Sequence, residues 1–217
     1  MPDHPPETPV PLRDETIGDF LDQLADRVPA PGGGASAALH AAQAAALLSM
    51  VARYSTGEKY AAHAAVIERI TAESDGLRAR ALQLADEDAA AFTAVTDAYR
   101  LPGGTEDDKA ARSAAIAAAL TGAARPPAEV VGVARVLVAL AEELLPVGNR
   151  NVVTDVAAAA EAARAAATTA RVNIEINLGG IRDEDARAAL AADAARVDEV
   201  AARAEQVTAA VRKEISR

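Results

Sequence analysis

The sequence has no cysteine and no tryptophan, and only two phenylalanines and three tyrosines in 217 residues. Without cysteine there is no disulfide framework, no thiolate metal site and no cysteine nucleophile. Aromatic residues make up 2% of the chain, so its core must be built from aliphatic side chains. The three histidines, His4, His40 and His63, fall at no metal-ligand spacing, and no metal site is expected. Positive charge is also scarce: 22 lysines and arginines face 32 acids, and the net charge of −10 argues against nucleic acid as a main partner. No charge-free apolar run approaches the roughly 20 residues of a membrane span. The stretch from Val28 to Ala52 comes nearest, but Pro29, Pro31 and the glycines interrupt it. The opening "MPDHPPETPVPLRDE" has prolines and acids where a signal peptide has a basic end and an apolar centre. The expectation is a soluble cytoplasmic protein with no membrane partner, beginning with a disordered, proline-rich tail over residues 1–13.

What the chain does have is alanine. Hydrophobic residues reach 51%, much of it alanine, which brings helix propensity and close approach more than buried area. A chain with so few large anchors gains by oligomerising. Residues 14–217 read as one all-α domain, a bundle of about six to eight helices, two of them long. The first helix sets Ile17, Phe20, Leu21 and Leu24 on one face, with Thr16 or Asp14 as its cap. A nearly uncharged helix from about Gly34 to Tyr54 should be central. A long pattern runs from about Lys59 to Tyr99, and Thr105 opens the next helix. The spacing predicts a break at "RPP", with Pro127 starting a further helix. Another helix covers about Val152 to Leu178, and "DEDARAAL" starts the last. No segment alternates with period two, so strands are not expected.

Five stretches hold candidate chemistry. In "PAPGGGASAAL" the glycines Gly32, Gly33 and Gly34 lead into a helix whose first N–H groups lack internal partners. They serve either a tight connection between helices or the close approach of a ligand oxygen. The spacing fits no nucleotide-binding loop. In "LADEDAAAF", Asp88 shares a mainly apolar face with Phe92, whereas Asp86 points elsewhere. An acid on such a face is either desolvated towards proton-transfer values or paired with an arginine at the stripe's edge. Arg100 stands at a helix end, where it can meet the terminal carbonyls. In "VGNRNVVTD", Asn149 and Asp155 surround a helix start, and capping explains only part of that polarity. Asn173 and Asn177 lie four apart on an apolar helix and face either a helix terminus or a ligand. Lys59 and Tyr60 complete the set, and most of the aromatics lie in or beside these stretches, which suits a planar ligand.

Taken in order, "PAPGGGASAAL", "GEKY", "DEDAAAFTAVTDAYRLP", "VGNRNVVTD" and "ARVNIEINL" resemble the cyclodeaminase/cyclohydrolase family of folate one-carbon enzymes. The resemblance spans about residues 14 to 215. It implies an all-α homodimer, a folate substrate held in a cleft lined by these motifs, and no metal or redox cofactor. The implied reaction acts on the carbon between N5 and N10 of tetrahydrofolate: either hydrolysis of the 5,10-methenyl form or cyclodeamination of the 5-formimino form. Carried onto this chain, the resemblance makes Asp88 the general acid and base, with Asp86 as fallback. Asp155 and Asn149 would then orient substrate or water. Gly32–Gly34 would admit the ligand to the backbone, and Lys59 and Arg100 would meet the glutamate carboxylates. Asn173 and Asn177 would read the pterin edge, beside Tyr60 and Phe92. The chain departs from the family in having Ala35 where many members have serine, Arg53 for asparagine, and Thr154 for serine. A different class of function stays open at this point: a non-catalytic folate-binding or interaction dimer.

Overall fold

The computed structural model describes residues 11–216, and residues 1–10 of the expected tail lie outside them. Within that tail's last positions, Leu12–Asp14 form a 3-10 turn. Seven α-helices follow among the described residues, with no strand: α1 (Ile17–Ala25), α2 (Gly33–Arg53), α3 (Ala64–Arg100), α4 (Glu106–Leu144), α5 (Val153–Leu178), α6 (Glu184–Ala195) and α7 (Val197–Ile215). This is the expected all-α bundle, and α3 and α4, at 37 and 39 residues, are its two longest members.

Local chemistry sets most helix starts. Thr16 Oγ1 accepts the Asp19 N–H at 3.1 Å to open α1. Thr105 and Asp108 exchange bonds of 3.0 Å each in a reciprocal box that opens α4. Asp183 caps α6 by accepting the Ala186 N–H at 3.0 Å. Helix α2 has no such device, because its N-cap is Gly32.

Helix α2 is the hub, packed against α3, α4 and α5. Its inward face is almost entirely alanine, including Ala38, Ala41 and Ala45, and α5 answers with Ala159, Ala163, Ala166 and Ala170. Side chains this small let the two helix axes approach closely. Larger residues seal the flanks: Leu48, Ile70, Leu84, Leu137, Leu140 and Ile174 are all fully buried. The glycines that seemed to interrupt this apolar stretch lie at its start, and α2 continues for 21 residues. By length and composition it could cross a membrane, yet 61% of its most apolar window is buried inside the bundle.

Three boundaries differ from the pattern. Helix α4 does not break at "RPP": Pro126 and Pro127 sit inside it, both buried. A mid-helix proline removes a hydrogen bond and presses its ring on the carbonyl four residues back. For Pro126 that carbonyl belongs to Gly122, and burial of the ring against the bundle offsets part of the cost. A 3-10 segment, Glu58–His63, begins within the "STGEKY" interruption and runs past it, so α3 starts later than expected. The expected last helix is two, divided at Arg196.

Candidate active site at the start of the central helix

The carboxylate of Asp88, on α3, lies directly over the first turn of α2. A Cβ added to Gly34 would stand 2.0 Å from Asp88 Oδ1, 2.3 Å from Cγ and 2.5 Å from Oδ2, so any side chain there would displace the carboxylate. The Ala35 N–H donates to the same carboxylate. Asp88 thus supplies from another helix the cap that Gly32 cannot supply from its own. Burial pushes the Asp88 carboxyl up to about 6 and outweighs the opposing pull of the Ala35 N–H. The pocketed acid envisaged from the apolar face of α3 is therefore what the packing produces, with no arginine paired to it.

Asn173 approaches the turn from α5. Its Nδ2 would be 3.3 Å from a Cβ at Gly33, and it donates to the Thr169 carbonyl at 2.9 Å. Its Oδ1 would be 3.6 Å from the same point, so both ends of the amide border the turn. A cavity of about 130 Å³ is enclosed here by Gly32, Gly33, Gly34, Asp88, Phe92 and Asn173, with Pro29, Ala30 and Ala123 at its edges. A carboxyl close to neutral, free helix N–H groups and an amide thus converge on one small space. Such a group can take a proton from an attacking nucleophile and return it to a leaving nitrogen.

Other candidates lie elsewhere. Asp86 accepts the Leu12 N–H at 2.8 Å and faces Arg13 Nε at 3.7 Å, which ties the N-terminal 3-10 turn to α3. Asn177 donates to the Asn173 carbonyl at 2.7 Å, one turn further along α5 and outside the cavity. Arg100 ends α3 and is paired with Asp97 at 3.1 Å on the surface. It is eight residues beyond Phe92, about 12 Å along the axis.

Lys59, Tyr60, Asn149 and Asp155 gather at the opposite end of α2, about 30 Å from the glycine turn along a helix of 21 residues. Asn149 is committed to structure there. Its Nδ2 donates to the Tyr54 carbonyl at 2.8 Å, its N–H donates to Ser55 Oγ at 2.8 Å, and its Oδ1 accepts the Asn151 N–H at 3.0 Å. Lys59 Nζ stands 5.3 Å above the Tyr60 ring. Asp155 occupies the first turn of α5, where the helix dipole favours an acid. One chain therefore brings together Gly32–Gly34, Asp88, Phe92 and Asn173, and leaves the other group at the far end of the bundle. Pro29 and Ala30 also line the cavity, within the "PAPGGGASAAL" stretch though not singled out there, and Ala123 does so without any sequence signal to find it. Among the described residues, no group of three or more His, Asp or Glu side chains is placed to hold a metal.

The comparisons with known proteins agree with this architecture. A methenyltetrahydrofolate cyclohydrolase of Methylorubrum extorquens is 40% identical over 170 residues, covering 78% of this chain and 82% of that protein. The formimidoyltransferase-cyclodeaminase of Mus musculus is 31% identical over 185 residues, which is 85% of this chain but 34% of the much longer mouse protein. The crystal structure of formiminotetrahydrofolate cyclodeaminase from Thermotoga maritima superposes with a TM-score of 0.78 at 30% identity, covering 91% of this chain and 98% of that one. The family model described as formiminotransferase-cyclodeaminase matches residues 16–196. With most of its length matched by that family model, this chain belongs to the formiminotransferase-cyclodeaminase family.

Proposed function

We propose that this protein is a folate one-carbon enzyme that hydrolyses 5,10-methenyltetrahydrofolate at the turn between Asp88 and Gly34. The observation that carries the reading is the Asp88 carboxyl, raised to about 6 and seated against the backbone of α2. Its ionised form takes a proton from water as the oxygen attacks the methenyl carbon, giving a neutral tetrahedral carbinolamine. Its protonated form then returns a proton to N5 as the C–N5 bond breaks, the hydroxyl proton leaves, and 10-formyltetrahydrofolate results. One group serves both steps because its proton affinity lies near neutral pH. The 40% identity with a named cyclohydrolase over most of both chains favours this substrate.

Cyclodeamination is the second reading, favoured by the near-complete superposition on the Thermotoga cyclodeaminase. There N10 attacks the formimino carbon, Asp88 takes the N10 proton and the imino nitrogen gains one, and Asp88 then protonates the resulting amino group so that it leaves as ammonia. Both reactions are proton transfers at carbon–nitrogen bonds, so the proposal includes no metal or redox cofactor, and treatment with EDTA should leave the rate unchanged. It also includes a homodimer acting in the cytoplasm, away from membranes and nucleic acid. The dimer is supported by the size of the site: about 130 Å³, against the roughly 300–1,000 Å³ usual for small-molecule pockets.

The test is a side-by-side assay of loss of the methenyl chromophore and release of ammonia from the formimino substrate. The parent should accelerate the first, and Asp88→Asn should lower turnover on the order of 10²-fold while the far-UV spectrum stays unchanged. Binding of the methenyl substrate without acceleration of either reaction would leave a non-catalytic folate-binding dimer and defeat the proposal.

A further inference from the structure

Helix α4 carries two prolines side by side, Pro126 and Pro127, both buried. Neither has an N–H, so the carbonyls four residues back, those of Gly122 and Ala123, lose the partner that a helix normally gives them. Thr121, on the same turn, does not replace it: its Oγ1 donates back to the Ala117 carbonyl at 2.9 Å. A buried acceptor released in this way calls for a donor. Ala123 is only 9% exposed, and it borders the cavity that holds Asp88 and Asn173. The pairing of α3 with α4 puts it there. Arg80 of α3 meets Glu129 of α4 at 2.5 Å, and Asp88, about two turns further along α3, lies level with the turn of α4 about two turns before Glu129. The cavity, about 130 Å³, is on the scale of a few water molecules and not of a fused ring.

We propose that the Ala123 carbonyl, released from the hydrogen-bond ladder of α4 by Pro127, is the second acceptor that holds the attacking water beside Asp88. Water has two hydrogens, and each needs an acceptor. With one on the Asp88 carboxylate and the other on the carbonyl, a lone pair of the oxygen is left turned towards the methenyl carbon. As the O–C bond forms, the first hydrogen passes to Asp88 as a proton. The second stays on the new hydroxyl, because an amide carbonyl accepts a hydrogen bond but takes no proton at neutral pH. The carbonyl thus decides which hydrogen is transferred and fixes the direction of attack. Pro127 is in this sense a positioning residue, acting through Ala123. Pro126 frees only the carbonyl of Gly122, which is not among the residues enclosing the cavity. This inference rests on the hydrolytic reading of the site.

Pro127→Ala and Pro127→Val each restore an N–H at position 127 and close the Ala123 carbonyl back into the helix, and valine keeps most of the bulk of the ring. Pro126→Ala does the same for Gly122 and gives up a buried ring of equal size. At parental helicity, both Pro127 variants should show kcat for methenyl hydrolysis ~10-fold lower with KM unchanged, while Pro126→Ala stays within about twofold. The acid limb of their pH profiles should remain at about 6, because Asp88 itself has not moved. Parental kcat in both Pro127 variants would overturn the inference. So would an equal fall in Pro126→Ala, a raised KM, a shifted limb or lost helicity in both, since each of these marks altered packing instead of a closed acceptor. A parent that turns over neither substrate, or only the formimino one, defeats the hydrolytic reading and this inference with it, whereas every other outcome leaves that reading standing.

Discussion

Gly34→Ala separates the site from the fold. Within a helix, alanine is favoured over glycine by about 1 kcal/mol, so propensity alone makes the variant at least as stable as the parent. The new methyl group, however, would lie 2.0 Å from Asp88 Oδ1. The carboxylate must withdraw by about 1 Å or more even for a tight contact, and a displacement of that size at a reacting group costs on the order of 10²-fold. The bond from the Ala35 N–H is lost in the same movement, which leaves the first turn of α2 without the only side-chain acceptor it has among the described residues. The expected result is a folded protein of parental helicity whose chromophore loss is slower by about two orders of magnitude. The fall should be in kcat, because the groups displaced are those that move protons. Parental kcat in Gly34→Ala would refute the placement of Asp88 over this turn as the basis of turnover.

Three further outcomes follow from the same geometry. Asp88 has a native value of about 6, above its ordinary 3.8, so the folded state holds this proton more tightly than the unfolded chain. The resulting stability is complete below about pH 4 and is lost as pH rises through 6. Asp88→Asn should therefore gain on the parent by about 3 kcal/mol between about pH 4 and pH 8, measured by denaturant titration; a pH-independent difference would refute the buried charge. Turnover by the parent should fall as pH drops through about 6, where the base form is lost, and a flat profile would count against that role. Asp86→Ala should loosen the N-terminal 3-10 turn yet keep kcat within about twofold, because its carboxylate is bonded to Leu12 and lies outside the cavity.

Much of the fold was legible because alanine, capping residues and glycine act locally. Thr16, Thr105 and Asp183 cap helices within three residues of themselves, so their effect is written in short windows. Pro126 and Pro127 misled for the complementary reason. Their tolerance depends on burial among other helices, which is not a local property. The same contrast divides the site. Asp88 and the glycines were found because an acid on an apolar face and a run of glycines are each unusual alone. That Asp88 caps α2, and that glycine at position 34 admits its carboxylate this closely, depends on a contact across 54 positions of sequence. Asn149 and Asp86 drew attention by their polarity, but backbone bonds already engage both.

The seam of methyl groups between α2 and α5 has an effect beyond cohesion. Gly33 and Asn173 belong to those two helices, so the thickness of the seam sets the aperture between them. Trimming an alanine there to glycine costs about 1 kcal/mol of helix propensity but leaves the spacing, whereas enlarging Ala38 or Ala166 would force the helices apart at about 1–3 kcal/mol each. The seam works as a spacer gauge: drift towards bulkier residues would widen the jaw around the substrate before it unfolded the protein.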